Sequence, residues 1–188
     1  LIATSVYATS LASTTGLVSA TTAENNRAAK ISKSLKKGSE VKHIVIKPIE
    51  LRDNSGLVYL GGLVPKAAIQ LYLTQMKKEL GEQFTRYRQN QAARDHSLFH
   101  MTLVNPYEYQ MANLEEIELT KPIKVTLHGL GRASKDNKTT FYIVATSPDG
   151  QFLRQNLLLK PKDFHVTLGF EPSDIYDVRK GIDTILTQ

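Results

Sequence analysis

The sequence predicts an α+β domain made of two similar halves. From about residue 41 onward, strand-type and helix-type patterns alternate. Two pentapeptides, FHMTL (Phe99–Leu103) and FHVTL (Phe164–Leu168), differ at a single position. The order of strands and helices is similar in the two halves, and each half holds one pentapeptide. At 188 residues with 41% apolar and 22% charged side chains, the chain is long enough to bury a sizeable core within one domain.

The elements follow in order. VKHIVIKPIEL (41–51) is rich in β-branched residues and reads as a strand, closed by the turn cluster Asp53-Asn54-Ser55-Gly56. LVYLGGLV (57–64) reads as the next strand, with Gly61-Gly62 marking a bulge or a close backbone approach. Pro65 opens a helix whose apolar residues recur at Ala68, Leu71, Tyr72, Met76 and Leu80 before Gly81 ends it. Residues 82–95 are polar and read as a connection carrying Arg86, Arg88 and Arg94. After the first pentapeptide, PIKVTLH (122–128) alternates cleanly, with Ile123, Val125 and Leu127 on one face. KDNK (135–138) is a hairpin turn into the strand TTFYIVAT (139–146). Ser147-Pro148 caps and opens a helix expected to run to Lys160, where Pro161 stops it. The second pentapeptide follows, then a short final helix from Asp174 capped by Ser173.

The net charge of +6 is local. Arg27, Lys30, Lys33, Lys36, Lys37, Lys42 and Lys47 stand against Glu40 alone, so this arm carries the whole excess and the rest of the chain sums to zero. Such an arm suits a phosphate backbone or a solvated linker. Residues 1–23 hold no charge and many hydroxyls. VSA (18–20) is similar to a signal-peptide cleavage site, but no basic region precedes it. The expectation is therefore a tail over 1–40 and a folded domain over 41–188. A cytoplasmic location is favoured, with a targeting segment in 1–23 as the alternative. No run of about 18 apolar residues exists to span a membrane. With no cysteine, thiol nucleophiles, disulfides and cysteine metal sites are excluded.

The pentapeptides carry the chemistry. In a strand, successive side chains face opposite sides. Phe99, Met101 and Leu103 then anchor one strand to the core while His100 and Thr102 face away, and His165 and Thr167 do the same in the second copy. A single His-x-Thr says little, but two with identical Phe and Leu flanks do not read as chance. Each pair offers an imidazole to move a proton and a hydroxyl to hold a phosphate oxygen. His43, His96 and His128 lack such a motif and read as structural.

These motifs resemble those of the 2H phosphoesterase superfamily, which includes RNA 2′,3′-cyclic phosphodiesterases and 2′-5′ RNA ligase-like proteins. FHMTL matches its first motif, DFHVTLGF (163–170) its second, and IKVTLHGLGRA (123–133) the strand before its hairpin. The resemblance spans roughly residues 57–170. It implies a bilobal, pseudo-two-fold fold with two antiparallel sheets lining a central cleft and helices outside. It also implies His100 and His165 as the catalytic pair, with Thr102 and Thr167 on the substrate phosphate.

The chemistry expected is hydrolysis of a 2′,3′-cyclic phosphate or a related RNA or nucleotide phosphodiester. One imidazole would deprotonate water and the other would protonate the departing ribose oxygen. If the family pattern holds, His165 is the base and a 2′-phosphate the product. Neither cofactor nor metal is expected: two histidines with threonines beside them are too few ligands for stable zinc. The alternatives are a 2′-5′ oligonucleotide or ADP-ribose cyclic phosphate as substrate, or a silent RNA- or nucleotide-binding module. The expected partner is an RNA end, oligonucleotide or nucleotide, bound by a monomer. For base stacking, Tyr142 is the first choice, with Tyr107 and Phe170 as further candidates and Tyr109 behind them. Arg86, Arg88, Arg94 and Arg132 read as solvated.

Overall fold

The computed structural model describes residues 41–114 and 119–187. The expected tail, and with it most of the basic arm, lies outside the described residues. The strand expected over 41–51 is two strands, β1 (Lys42–Ile46) and β2 (Ile49–Arg52). Lys47-Pro48 separates them, because proline cannot donate to a strand ladder. The remaining strands are β3 (Val58–Leu63), β4 (His100–Val104), β5 (Ile123–Lys135), β6 (Lys138–Thr146) and β7 (Phe164–Glu171). The helices are α1 (Lys66–Leu80), α2 (Phe84–Asp95), α3 (Pro106–Met111) and α4 (Pro148–Asn156). No helix among the described residues is long and apolar enough to cross a membrane.

The class is α+β as expected, but the two separate sheets are not formed. All seven strands join one antiparallel sheet, ordered β1-β5-β6-β7-β4-β3-β2. The junction is the pairing of the two motif strands, Met101 opposite Val166. Each of these strands would otherwise leave a row of unpaired backbone groups at the middle of the molecule, and pairing them satisfies both. The sheet is also strongly curled. Its two edge strands are consecutive in sequence, and the three residue steps from Ile46 to Ile49 reach about 10 Å at most. Seven flat strands would hold those edges roughly 29 Å apart.

The expected two-fold likeness survives in the registers. In one half Leu60, Gly61, Gly62 and Leu63 pair with Val104, Thr102, Met101 and His100. In the other Phe141, Tyr142, Ile143 and Val144 pair with Gly169, Thr167, Val166 and His165. The ladder slips at the same place in both, between Leu60 and Gly61 and between Phe141 and Tyr142. Both readings of Gly61-Gly62 hold: the bulge is there, and the Gly61 backbone lies so close to β4 that a Cβ on it would stand 2.9 Å from the Met101 carbonyl.

One sheet face is the core. Met101, Leu103, Val166 and Leu168 are fully buried there, with Ile69, Tyr72 and Met76 of α1 among the residues packed with them. Each such side chain contributes about 1.5–3 kcal/mol. Helix α2 was not expected, because residues 82–95 lack an apolar stripe. Its buried face places Tyr87 in the core and otherwise spends polar side chains on carbonyls of β7 and of the chain before β4. Asn90 donates to Phe170 O at 2.9 Å, Gln91 to Leu98 O at 2.7 Å, and Arg88 to Leu168 O. Helix α3 is started by Asn105, whose side chain accepts from Glu108 N at 2.9 Å while Glu108 returns a bond to Asn105 N. Helix α4 stops at Asn156, short of Lys160. Its Arg154, 2% exposed, donates to Leu103 O at 2.8 Å and pairs with Glu108 at 2.8 Å, tying α4 to β4 and α3.

The final helix expected from Asp174 does not form; only a single turn at Ile182–Thr184 is helical. The Asp174 side chain is drawn into a buried ion-pair cluster instead of an exposed first turn. The chain after β7 reaches the β5 edge, where Leu186 N donates to Leu130 O at 2.8 Å and Ile185 bridges Gly131.

Candidate functional site

Opposite the core, the motif strands present their polar side chains. His100, Thr102 and His165 are half-buried and Thr167 is buried. Extending the Met101–Val166 pair by one residue each way sets His100 opposite Thr167 and Thr102 opposite His165. His100 and His165 are therefore diagonal neighbours, with Cα atoms about 7–8 Å apart at this ladder spacing. The space between them is flanked by one histidine and one threonine from each strand.

Each histidine has a different partner on Nε2. The Tyr59 hydroxyl stands 3.2 Å from His100 Nε2, with the rings 5.5 Å apart. Lys180 Nζ stands 3.4 Å from His165 Nε2, and the Tyr142 ring lies edge-on to His165 at 5.7 Å. His165 Nδ1 is buried beside the main chain of Asp163 without a well-formed hydrogen bond.

Behind the histidines lies a charged cluster. Asp174 accepts from Thr140 at 2.9 Å, from Lys180 at 3.2 Å and from Arg94. The Thr167 hydroxyl is 3.5 Å from Asp174, so this expected phosphate ligand is already oriented by a carboxylate. Arg94 is doubly bound to Asp95, at 2.7 and 2.8 Å, and covers the Phe170 ring at 4.8 Å.

Burial shapes the titration of these groups. It lowers the His100 pKa, with Asp95 working partly against it. It lowers His165 well below 6.5, and the Lys180 charge adds to the effect. Burial also pushes both Tyr59 and Tyr142 up to about 12, so both phenols stay protonated. It works to raise Asp174, but Lys180 and Arg94 overcome it and hold the carboxyl at about 2. Lys180 is itself lowered by burial, against the pull of Asp174.

The structure thus brings His100, His165, Thr102 and Thr167 to one place, with Tyr142 beside them. Tyr142 is fully buried and Phe170 is 6% exposed beneath Arg94, so neither offers an open ring face for a base. Tyr107 is exposed on α3, and Tyr109 is bonded to Glu50. Arg86 is exposed and pairs with Glu171, and Arg132 is exposed. Arg88 stacks on Phe99 and bonds Leu168 O, and Arg94 is engaged in the cluster; neither is the solvated side chain expected. His43 and His128 pair with Thr126 at 3.1 Å and with Thr146 at 2.7 Å.

Three site neighbours escaped the sequence reading: Tyr59, Asp174 and Lys180. Tyr59 had a faint signal, since it alternates with Gly61 on the strand beside the first motif. Asp174 and Lys180 had none, because they sit in irregular chain after β7.

The family model described as "Swiss Army Knife, 2H phosphoesterase domain" matches residues 67–176, more than half of the chain. No curated protein and no solved structure matches it. The matched span holds both motifs and Asp174 but neither Tyr59 nor Lys180.

Proposed function

From the premise that this chain belongs to the 2H phosphoesterases, we propose that it hydrolyses a 2′,3′-cyclic phosphate or a related RNA or nucleotide phosphodiester by two-histidine acid–base catalysis. The observation that carries this reading is the diagonal pair of imidazoles on one sheet face, each opposite the other motif's threonine. Water attacks phosphorus as one imidazole takes its proton; the bond from phosphorus to the ribose oxygen breaks as the other imidazole protonates that oxygen. The Thr102 and Thr167 hydroxyls donate to the non-bridging oxygens, where charge builds up.

The two roles divide by environment. Burial and the neighbouring ammonium favour the neutral form of His165, which suits a base. Burial lowers His100 as well, but Asp95 and Asp174 work against it, so His100 is the less perturbed of the two and the better suited to act as the acid. The Tyr59 phenol, protonated throughout the physiological range, bonds the working nitrogen of His100.

The test is a substrate panel: 2′,3′-cyclic nucleotides, 2′-5′-linked and 3′-5′-linked oligonucleotides and ADP-ribose 1″,2″-cyclic phosphate, with and without EDTA. Hydrolysis of the cyclic nucleotides, insensitive to EDTA, is expected, and identifying the product phosphate reveals the leaving oxygen. Tight binding with turnover of none of them would replace this reading with that of a binding module.

A further inference from the structure

We propose that Lys180 is a working group of this site: it holds His165 as the unprotonated partner at Nε2 and turns to a phosphate oxygen when substrate binds. The inference rests on the phosphoesterase reading and extends it to a residue outside the matched span 67–176.

An ammonium that is 4% exposed is costly to place unless it is paired. Lys180 has one carboxylate partner, Asp174, at 3.2 Å, and that carboxylate is shared with Arg94, Thr140 and the Ile175 amide. A second N–H points at His165 Nε2 at 3.4 Å. An ammonium has three donors and no acceptor, so the contact requires a lone pair on Nε2. The proton of neutral His165 is then on Nδ1, the atom buried beside the Asp163 main chain. That tautomer lets Nε2 accept a proton from water once Lys180 has turned away from it. The N–H released from Nε2 is the one that turns to a phosphate oxygen.

The segment carrying Lys180 is held at both ends. Asp174 anchors it to β6 through Thr140 and to α2 through Arg94, and Leu186 anchors it to β5. Between these points the ammonium lies 5.4 Å over the Tyr142 ring, close to His165. The charges acting on His165 are Lys180 and Asp174 from this segment and Lys162 from the loop before β7; Tyr142 of β6 and His100 across the ladder are its titratable neighbours. Of the two lysines, Lys180 acts more strongly.

Histidine side-chain 15N NMR on the wild-type protein without substrate is the first experiment. His165 should be neutral at pH 7 with its proton on Nδ1; a proton on Nε2 overturns the proposal. In Lys180→Gln the His165 pKa should rise by about one unit or more. Titration of inorganic phosphate should show binding weakened about tenfold or more, and Lys180→Arg should restore part of it. The acid limb of the kcat/KM profile should move to higher pH together with the NMR pKa. A folded Lys180→Gln protein with an unchanged His165 titration reduces Lys180 to a structural partner of Asp174. If the wild type hydrolyses no phosphodiester, the proposed function fails, while the NMR and phosphate results still judge Lys180 separately.

Discussion

The two halves of the sheet share a backbone and differ in their chemistry. A constant shift of 81 residues carries Leu60–Leu63 of β3 onto Phe141–Val144 of β6, and one of 65 carries His100 and Val104 of β4 onto His165 and Gly169 of β7, bulge included. By the same shift Gly61 stands where Tyr142 stands, and Tyr59 where Thr140 stands. The first half therefore gives its histidine a phenol at Nε2. The second gives its histidine an ammonium and sends the Thr140 hydroxyl to Asp174. Symmetric pairing brings the two imidazoles together, and in the proposed reaction only these unlike surroundings would distinguish an acid from a base. Gly61 has a further reason to lack a side chain: a Cβ there would lie 2.9 Å from the Met101 carbonyl of the motif strand.

The sharpest way to break this comparison is to remove either imidazole. His100→Ala and His165→Ala should each slow turnover of the best substrate by about 10²–10⁴-fold. Full activity in either variant, measured with contaminating phosphodiesterases excluded, would mean that the halves do not share one reaction.

The next test is the pH dependence. Both imidazoles have pKa values lowered from 6.5 in the free protein. The base must be deprotonated, so activity rises as pH climbs through its lowered pKa. The acid must be protonated, so activity falls as pH passes its own. The kcat/KM bell should therefore peak on the acid side of pH 6.5. A bound phosphodiester anion favours the charged imidazole and should displace the kcat profile upward. An optimum of kcat/KM above pH 7 would contradict the burial of both rings.

The smallest effect should come from Tyr59→Phe, which removes one hydrogen bond to His100. It should lower kcat/KM by roughly two- to tenfold, leaving the His165 limb of the profile in place. A shift of the His165 limb would show that the phenol acts on both halves.

Much of this was legible in the chain. The apolar alternation in FHMTL and FHVTL told which side of each strand faces the core, and hence that His100, Thr102, His165 and Thr167 share the other side. Pro65, Gly81, Ser147 and the KDNK turn marked their elements through local backbone chemistry. Helix α2 was missed because Tyr87 is its one fully buried apolar residue, and the neighbouring Arg88, Asn90 and Gln91, bonded to main-chain carbonyls, leave no apolar period. The Asp174 helix was a false signal. Ser173-Asp174 reads as a cap in isolation, but Arg94 and Lys180 claim the carboxylate.

By itself, then, the sequence determined the class of fold, the repeat and the four polar side chains turned away from the core on the motif strands, since periodicity and duplication are properties of neighbouring residues. Tertiary structure alone decided that the two motif strands pair into one sheet, that Tyr59 serves His100, and that the loop after β7 brings Lys180 back to His165, 15 residues earlier in the chain. Those contacts join residues far apart in the chain through hydrogen bonds and ion pairs, and such partners leave no period in the sequence to read.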